Sequence, residues 1–204
     1  MTDSKNGITP GVVVTPEFRL VYPNLFEARA FVRDGKPQGE PKYGLVMLFK
    51  PDEIDGMKST AAGVAKAKWP GRDLKELKFP FKKGDAEAKK REDKGKDGSF
   101  YAGTVVIKAS SKYQPQVVDM DRKDILDPKR VYSGVYAFAE LNFVAYNGVG
   151  GGQDGVTCYV NFVMISRKGD RIAGKTADDV FSGVQGGDTN VDPTGDDTDD
   201  DIPF

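Results

Sequence analysis

The chain has 204 residues, with 30 Lys and Arg against 31 Asp and Glu, a net charge of −1 and no histidine. The missing histidine excludes Ser-His-Asp and Cys-His nucleophile activation and histidine ligation of metals. The single Cys158 excludes an internal disulfide or a CxxC zinc site and fits a reducing cytoplasm.

Residues 1–10 are polar, which predicts a flexible N-terminus and no secretory leader. Strand-like runs follow at 11–15, 18–22 and 27–33. In the last, Ala28, Ala30 and Val32 alternate with Arg29, Phe31 and Arg33, placing two cations and a ring on one face. Asp34-Gly35 and 37–41 read as turns, and 43–49 as an apolar strand. Pro51-Asp52-Glu53 reads as the acidic start of a helix that reaches Lys68. Segment 69–98 reads as a long basic loop. Between Lys66 and Lys96 stand twelve Lys and Arg against six Asp and Glu, with Trp69, Phe79 and Phe81 among them.

Strands resume at 100–109 and 116–119. Residues 131–146 read as one long strand. Val131, Val135, Ala137, Ala139, Leu141, Phe143 and Ala145 form its apolar row. Tyr132, Tyr136 and Phe138 stand on the opposite one. A Gly-rich loop at 147–154, a strand at 155–167, a turn at 168–170, a short strand near 171–173 and a short helix at 176–181 complete the body. Abundant Gly (24) and Pro (12), with short Val-, Phe- and Tyr-rich runs, place the chain in the mainly β class. Residues 11–184 are expected to form one domain, a small closed antiparallel barrel of the OB-fold type with an inserted helix and a long basic loop. No apolar stretch approaches the roughly 18 residues of a membrane span.

Residues 185–204 differ from everything before them. They hold seven aspartates and no Lys or Arg, and end in Asp199-Asp200-Asp201-Ile202-Pro203-Phe204. Residues 1–184 therefore carry 30 basic and 24 acidic side chains. The near-neutral total conceals a basic body joined to a disordered acidic tail, and a basic body points to a polyanionic partner.

Two motifs invite enzymatic or metal readings. Residues 169–176 match the G-x-x-x-x-G-K-[ST] spacing of a phosphate-binding loop. That loop needs a helix with room to run and a later strand carrying an acidic magnesium ligand. Only a turn or two fits before Gly183, so an NTPase is the disfavoured alternative. Asp119, Asp121, Asp124 and Asp127 lack the glycine and terminal glutamate of a calcium loop and read as a polar turn. No metal or cofactor is expected.

A non-catalytic single-strand binder needs cations that track phosphates and rings that stack on unpaired bases. The candidates are Arg29, Phe31 and Arg33 on one strand face and Tyr132, Tyr136 and Phe138 on another. Trp69, Phe79 and Phe81 stand in the basic segment beside Lys82, Lys83, Lys89, Lys90 and Arg91. The segment from Lys82 to Lys96 would close over a bound strand as an electrostatic flap.

The ending Asp-Asp-Asp-Ile-Pro-Phe resembles that of bacterial single-stranded DNA-binding proteins, where it docks on replication, recombination and repair enzymes. The body is similar instead to a phage family of single-stranded DNA-binding proteins with an OB-fold. The likeness rests on Tyr132-Ser133-Gly134-Val135-Tyr136, Asn142-Phe143-Val144-Ala145-Tyr146 and Gly155-Val156, with their spacing. Phe100-Tyr101-Ala102-Gly103 and Lys168-Gly169-Asp170 also fit. The resemblance covers about residues 11–174 and the tail. It implies coating of single-stranded DNA in the host cytoplasm during phage replication and recombination, without catalysis, with the tail recruiting replication proteins. A homodimer is a further expectation.

Overall fold

The structure, a computed structural model, describes residues 11–33 and 36–172, and for Phe31, Val32, Arg33 and Gln38 the backbone only. The acidic tail, the proposed helix at 176–181 and the end of the phosphate-loop-like segment lie outside the described residues.

Eight strands form one sheet: β1 (Val12–Val14), β2 (Phe18–Arg33), β3 (Lys36–Phe49), β4 (Phe81–Lys83), β5 (Val105–Ser111), β6 (Gln116–Val118), β7 (Tyr136–Tyr146) and β8 (Gly155–Arg167). Their order is β4-β5-β3-β2-β7-β8-β6, with β1 added to β7. All pairings are antiparallel except β6 with β8, so the sheet is mixed rather than purely antiparallel. The sheet curls until β5 and β8 meet, where the Cys158 thiol donates to the Lys108 carbonyl at 3.5 Å. Among the described residues no ladder closes that seam, so the OB-like barrel stays open there. Cys158 is buried, which raises its pKa to about 12 and leaves it an inert core thiol.

Alternation builds the core. Leu45, Met47 and Phe49 of β3, Ile107 and Ala109 of β5, and Ala137, Ala139, Leu141 and Phe143 of β7 all face inward and are buried. The apolar row read along 131–146 is therefore real. Its first residues, however, form turns rather than strand, because the chain must cross from a 3-10 turn at Pro128–Arg130 into the sheet.

Helix α1 (Asp55–Lys68) caps one end of the barrel through Met57, Ala61 and Ala65, spaced four apart on a single face. Asp55 opens it and Lys66 and Lys68 close it, each sign opposing the helix dipole. Pro70 forces Trp69 out of helical geometry and ends it.

Four sequence expectations are corrected. The strand expected at 100–109 begins only at Val105, after a 3-10 turn at Ser99–Tyr101. The strands at 18–22 and 27–33 are one strand, β2, whose pairing with β3 slips in register where Tyr22 takes φ +50°. Residues 37–41 are strand rather than turn. Pro37 and Pro41 are tolerated because this part of β3 pairs only with β2, and β5 begins its pairing at Tyr43. Segment 69–98 is not a loop. It holds a 3-10 turn at Leu74–Glu76, strand β4 and helix α2 (Gly84–Glu92).

Helix α2 has almost no apolar face, which is why its sequence reads as solvated loop. Ion pairs attach it instead. The Glu87 carboxylate receives Lys108 at 2.8 Å and Lys90 at 2.9 Å. Burial works against its ionisation, but these bonds outweigh that and hold its pKa at about 2. Beneath α2 lies a second buried cluster of Val21, Leu48, Ala88, Tyr101 and Val106, on the outer face of β2, β3 and β5.

Candidate nucleic-acid interface

Helix α2 covers only part of that outer face. Beside it, at the foot of the β2–β3 ribbon, lies a trough of about 580 Å³ lined by Tyr22, Arg29, Lys42, Tyr43 and Lys108 among others. Lys42 also lines an adjoining hollow of about 340 Å³ with Lys112, Tyr113, Asn142, Tyr159 and Asn161. The two meet at Lys42 and together, as the furrow, gather cations and rings. Tyr113 is 83% exposed and Tyr159 42%, so both rings stand open to a ligand.

Local backbone chemistry aims these groups. Tyr22 sits in the left-handed region, rare for a bulky residue. Pro23 bars it from the right-handed helical region, and its N–H is held at 2.9 Å by the Ser133 hydroxyl. Its ring meets Phe100 edge-on with centroids 6.5 Å apart. The Arg91 guanidinium lies over both rings, at 5.5 and 5.4 Å. Arg91 is itself fixed by donating to the Asp97 carbonyl at 2.8 Å. Most cations of the furrow are paired with acid: Arg29 with Glu27 at 3.5 Å, Lys108 with Glu87, and Lys112 with Glu40 at 2.6 Å. The Lys112 contact lowers the pKa of Glu40 and raises that of Lys112.

The residues singled out from sequence distribute as follows. Arg29 lines the trough. Phe31 and Arg33 share its strand, but their side chains lie outside the described residues. Trp69, Phe79 and Phe81 do not stand free among lysines. All three pack half-buried against the core, Phe81 with its ring 6.0 Å from Phe143. Trp69 lies under Arg72, which bonds Asp154 at 2.5 Å and so clasps the Gly-rich loop. Lys82 and Lys83 sit on the exposed edge strand β4, where lysine discourages further strand pairing. Lys89, Lys90 and Arg91 belong to α2, a docked helix and not a flap.

Tyr132 and Tyr136 lie apart from the trough, against the segment that follows β8. Arg171 covers Tyr132 at 4.1 Å and Arg167 covers Tyr136 at 3.4 Å. Phe138 is half-buried in β7 opposite Met164. Residues 168–172 form a strap rather than the expected short strand. The strap is tied by Tyr132 Oη to the Gly169 carbonyl at 3.0 Å, Arg19 Nη2 to the Asp170 carbonyl at 3.0 Å, and Ile172 N–H to the Ser133 carbonyl at 2.9 Å. Gly134, at φ +123°, permits this crossing, since a Cβ there would collide with the Asp170 carbonyl. The described part of the phosphate-loop-like segment is thus a tether between β8 and the 132–134 turn. The aspartates at 119–127 serve their own turn: Asp119 accepts from the Asp121 and Lys123 amides, and Asp127 from Lys129.

Sequence reasoning missed Tyr22, Lys42, Tyr43, Lys108, Tyr113 and Tyr159. A period-two signal did mark Lys108, which alternates with inward Ile107 and Ala109 on β5. Nothing in the pattern announced the left-handed Tyr22.

Comparisons with known proteins follow the fold. A family model described as Enterobacter phage Enc34, ssDNA-binding protein, matches residues 11–193. A putative protein p50 of Acyrthosiphon pisum secondary endosymbiont phage 1 is 28% identical over 160 residues, spanning 76% of this chain and 83% of that protein. Among solved structures, the single-stranded DNA-binding protein from bacteriophage Enc34 in complex with ssDNA superposes with a TM-score of 0.62 at 18% identity, covering 81% of this chain and 91% of that one. The gp2.5 single-stranded DNA-binding protein of bacteriophage T7 gives 0.51 at 16% identity, covering 81% and 96%. No helix among the described residues is long and apolar enough to cross a membrane. With 11–193 matched and the OB-like fold shared, this chain belongs to the phage family of the Enc34 ssDNA-binding protein, a family of binders rather than enzymes.

Proposed function

We propose that the protein binds single-stranded DNA without sequence preference, seating it in the furrow between α2 and the β2–β3 ribbon. The observation that carries this reading is the juxtaposition of Tyr22, Tyr43, Lys42 and Lys108 in one trough, continued by Tyr113 and Tyr159. Rings stack on any base and cations follow any phosphate, so the chemistry is indifferent to sequence. The solved Enc34 relative in complex with ssDNA supports it. Coating of single strands in phage replication and recombination, in the cytoplasm of an infected bacterium, is the role such binding serves. Of the sequence candidates, Arg29 fits this furrow directly, Phe31 and Arg33 share its strand, and Arg91 holds the Tyr22 and Phe100 rings.

The tail completes the proposal. Seven aspartates ending in Ile-Pro-Phe imitate a polyanion and offer an apolar anchor. Residues 185–204 compete with DNA at low salt, and Asp199 to Phe204 recruit replication proteins through a basic, apolar pocket. Homodimerisation is part of the same proposal. Mobility shifts with single- and double-stranded DNA of one sequence, for the full chain and for a chain lacking 185–204, test it. Preference for the single strand, tightened at low salt by removal of the tail with loss of partner capture, is expected. Equal affinity for the duplex, or indifference to tail removal in both assays, would refute the corresponding part.

A further inference from the structure

On the other side of the strap is a second cavity, of about 600 Å³, to which the trough gives no role. Ile125 and Val135, both buried, and Ile165 line its apolar part. Lys129, Arg130, Arg167, Lys168 and Arg171 also line it, five cations against the two carboxylates of Asp119 and Asp121. Asp119 is already occupied by two backbone amides of its own turn. Arg167 is held by Glu17 at 2.9 Å. The other four cations have no carboxylate partner among the described residues.

The Arg171 guanidinium lies over Tyr132, whose hydroxyl is anchored to the strap. A guanidinium resting on a ring is pre-organised, and its outer face is a flat cationic platform on which a base can stack. The cavity volume lies within the range of small-ligand sites, roughly 300–1,000 Å³. An apolar wall for a base and a cationic rim for a phosphate suit a nucleotide.

The cavity also adjoins the trough. Tyr22 of the trough donates to Ser133, and the neighbouring Tyr132 lines the cavity. On the strap, Ile172 packs with the cluster that includes Tyr22 and Phe100, while Arg171 lines the cavity. A single residue step along either segment leads from the cavity to a residue that bonds Tyr22 or packs in the same cluster with it.

We propose that this cavity is a second station for the same DNA strand. The strand passes Tyr22 and seats a nucleotide on the Arg171–Tyr132 stack, with its phosphate at Lys129 and Arg130. The inference rests on the reading of the trough as a single-strand site.

Fluorescent oligo-dT of about 5 and about 15 nucleotides, lengths near the lower and upper site sizes of single OB-folds, would be titrated into the full chain across a salt series. The longer oligonucleotide should show the steeper salt dependence, by about 0.7 in slope for each added phosphate contact. Lys129→Ala combined with Arg171→Ala should weaken the long oligonucleotide roughly tenfold and return its slope to that of the short one, with short-oligonucleotide affinity kept within about twofold. Circular dichroism checks folding, and Arg130→Gln supplies a milder variant with the same expected direction. Equal losses at both lengths, or none, overturn the proposal. So does an outcome in which a labelled peptide of residues 195–204 loses binding in the double variant while the long oligonucleotide does not, which would make the occupant an acidic peptide. Failure of wild-type protein to bind either length is a different result and refutes the trough itself.

Discussion

The trough and the strap cavity are made of the same residue types in opposite states of pairing. In the furrow, Arg29, Lys108 and Lys112 each face a carboxylate, while Tyr43, Tyr113 and Tyr159 leave their rings available. In the cavity, Tyr132 is covered by the Arg171 guanidinium, and Lys129, Arg130 and Lys168 lack carboxylate partners among the described residues. Stacking and charge attraction are thus divided between two neighbouring surfaces. On the proposed reading, the first would hold bases mainly by stacking, with part of its charge already answered by carboxylates. The second would draw phosphates in a way that salt screens.

The largest effect on this division comes from removing a furrow ring. Tyr43→Ala should cost about 1–3 kcal/mol, or roughly 5- to 150-fold in oligo-dT affinity, because each stacked base contributes that much. The slope of log affinity against log salt should not move. Fluorescence titration at three salt concentrations reads both quantities. A lowered slope with affinity preserved at high salt would assign Tyr43 to charge positioning and erase the contrast.

Next in size is Glu87→Gln, which tests whether α2 is fixed by charge. The side chain is mostly buried and answers two lysines, so its neutralisation should cost roughly 2 kcal/mol and about 4–8 °C in Tm. The pH dependence has a definite sign. Folding depresses this carboxyl from its ordinary value near 4.5 to about 2. Its contribution is complete above about pH 5 and is lost as the pH falls towards 2. Thermal melts of the two proteins should therefore differ at neutral pH and converge in acid. Parallel curves over the whole range would mean that Glu87 contributes nothing through its charge.

How much of this was legible in the sequence depends on which force orders each element. The inward row of β7 follows from hydrophobic periodicity and the bounds of β8 from its flanking loops, and α1 was read from its acidic start, although residues 51–53 form a 3-10 turn and the α-helix begins at Asp55. Helix α2 is ordered by Glu87, Lys108 and Arg91, whose contacts reach as far along the chain as Tyr22 and leave no periodic trace. The trough depends on the left-handed Tyr22 and on the ladder that sets β5 beside β3, both tertiary facts. Trp69, Phe79 and Phe81 misled for a simpler reason. In a lysine-rich segment the rings are what remains to bury, and they became the apolar underside of a charged surface.

The smallest effect is the one that separates the two surfaces most cleanly. Glu40 pairs with Lys112 at 2.6 Å, with their side chains 70% and 63% exposed. Such a surface pair adds little to stability, so Glu40→Gln should leave Tm unchanged. What the carboxylate does is occupy a cation that lines the furrow. Its removal frees Lys112 for a phosphate, so affinity for oligo-dT should rise about two- to fivefold at low salt. The salt slope should steepen by up to about 0.7, giving the furrow some of the salt dependence that the proposal assigns to the cavity. At high salt the variant and the parent should converge, because the added contact is purely electrostatic. Weaker binding by the variant would reverse the argument: Glu40 would then be holding Lys112 in position for the strand rather than competing with it, and paired cations would be as competent as unpaired ones.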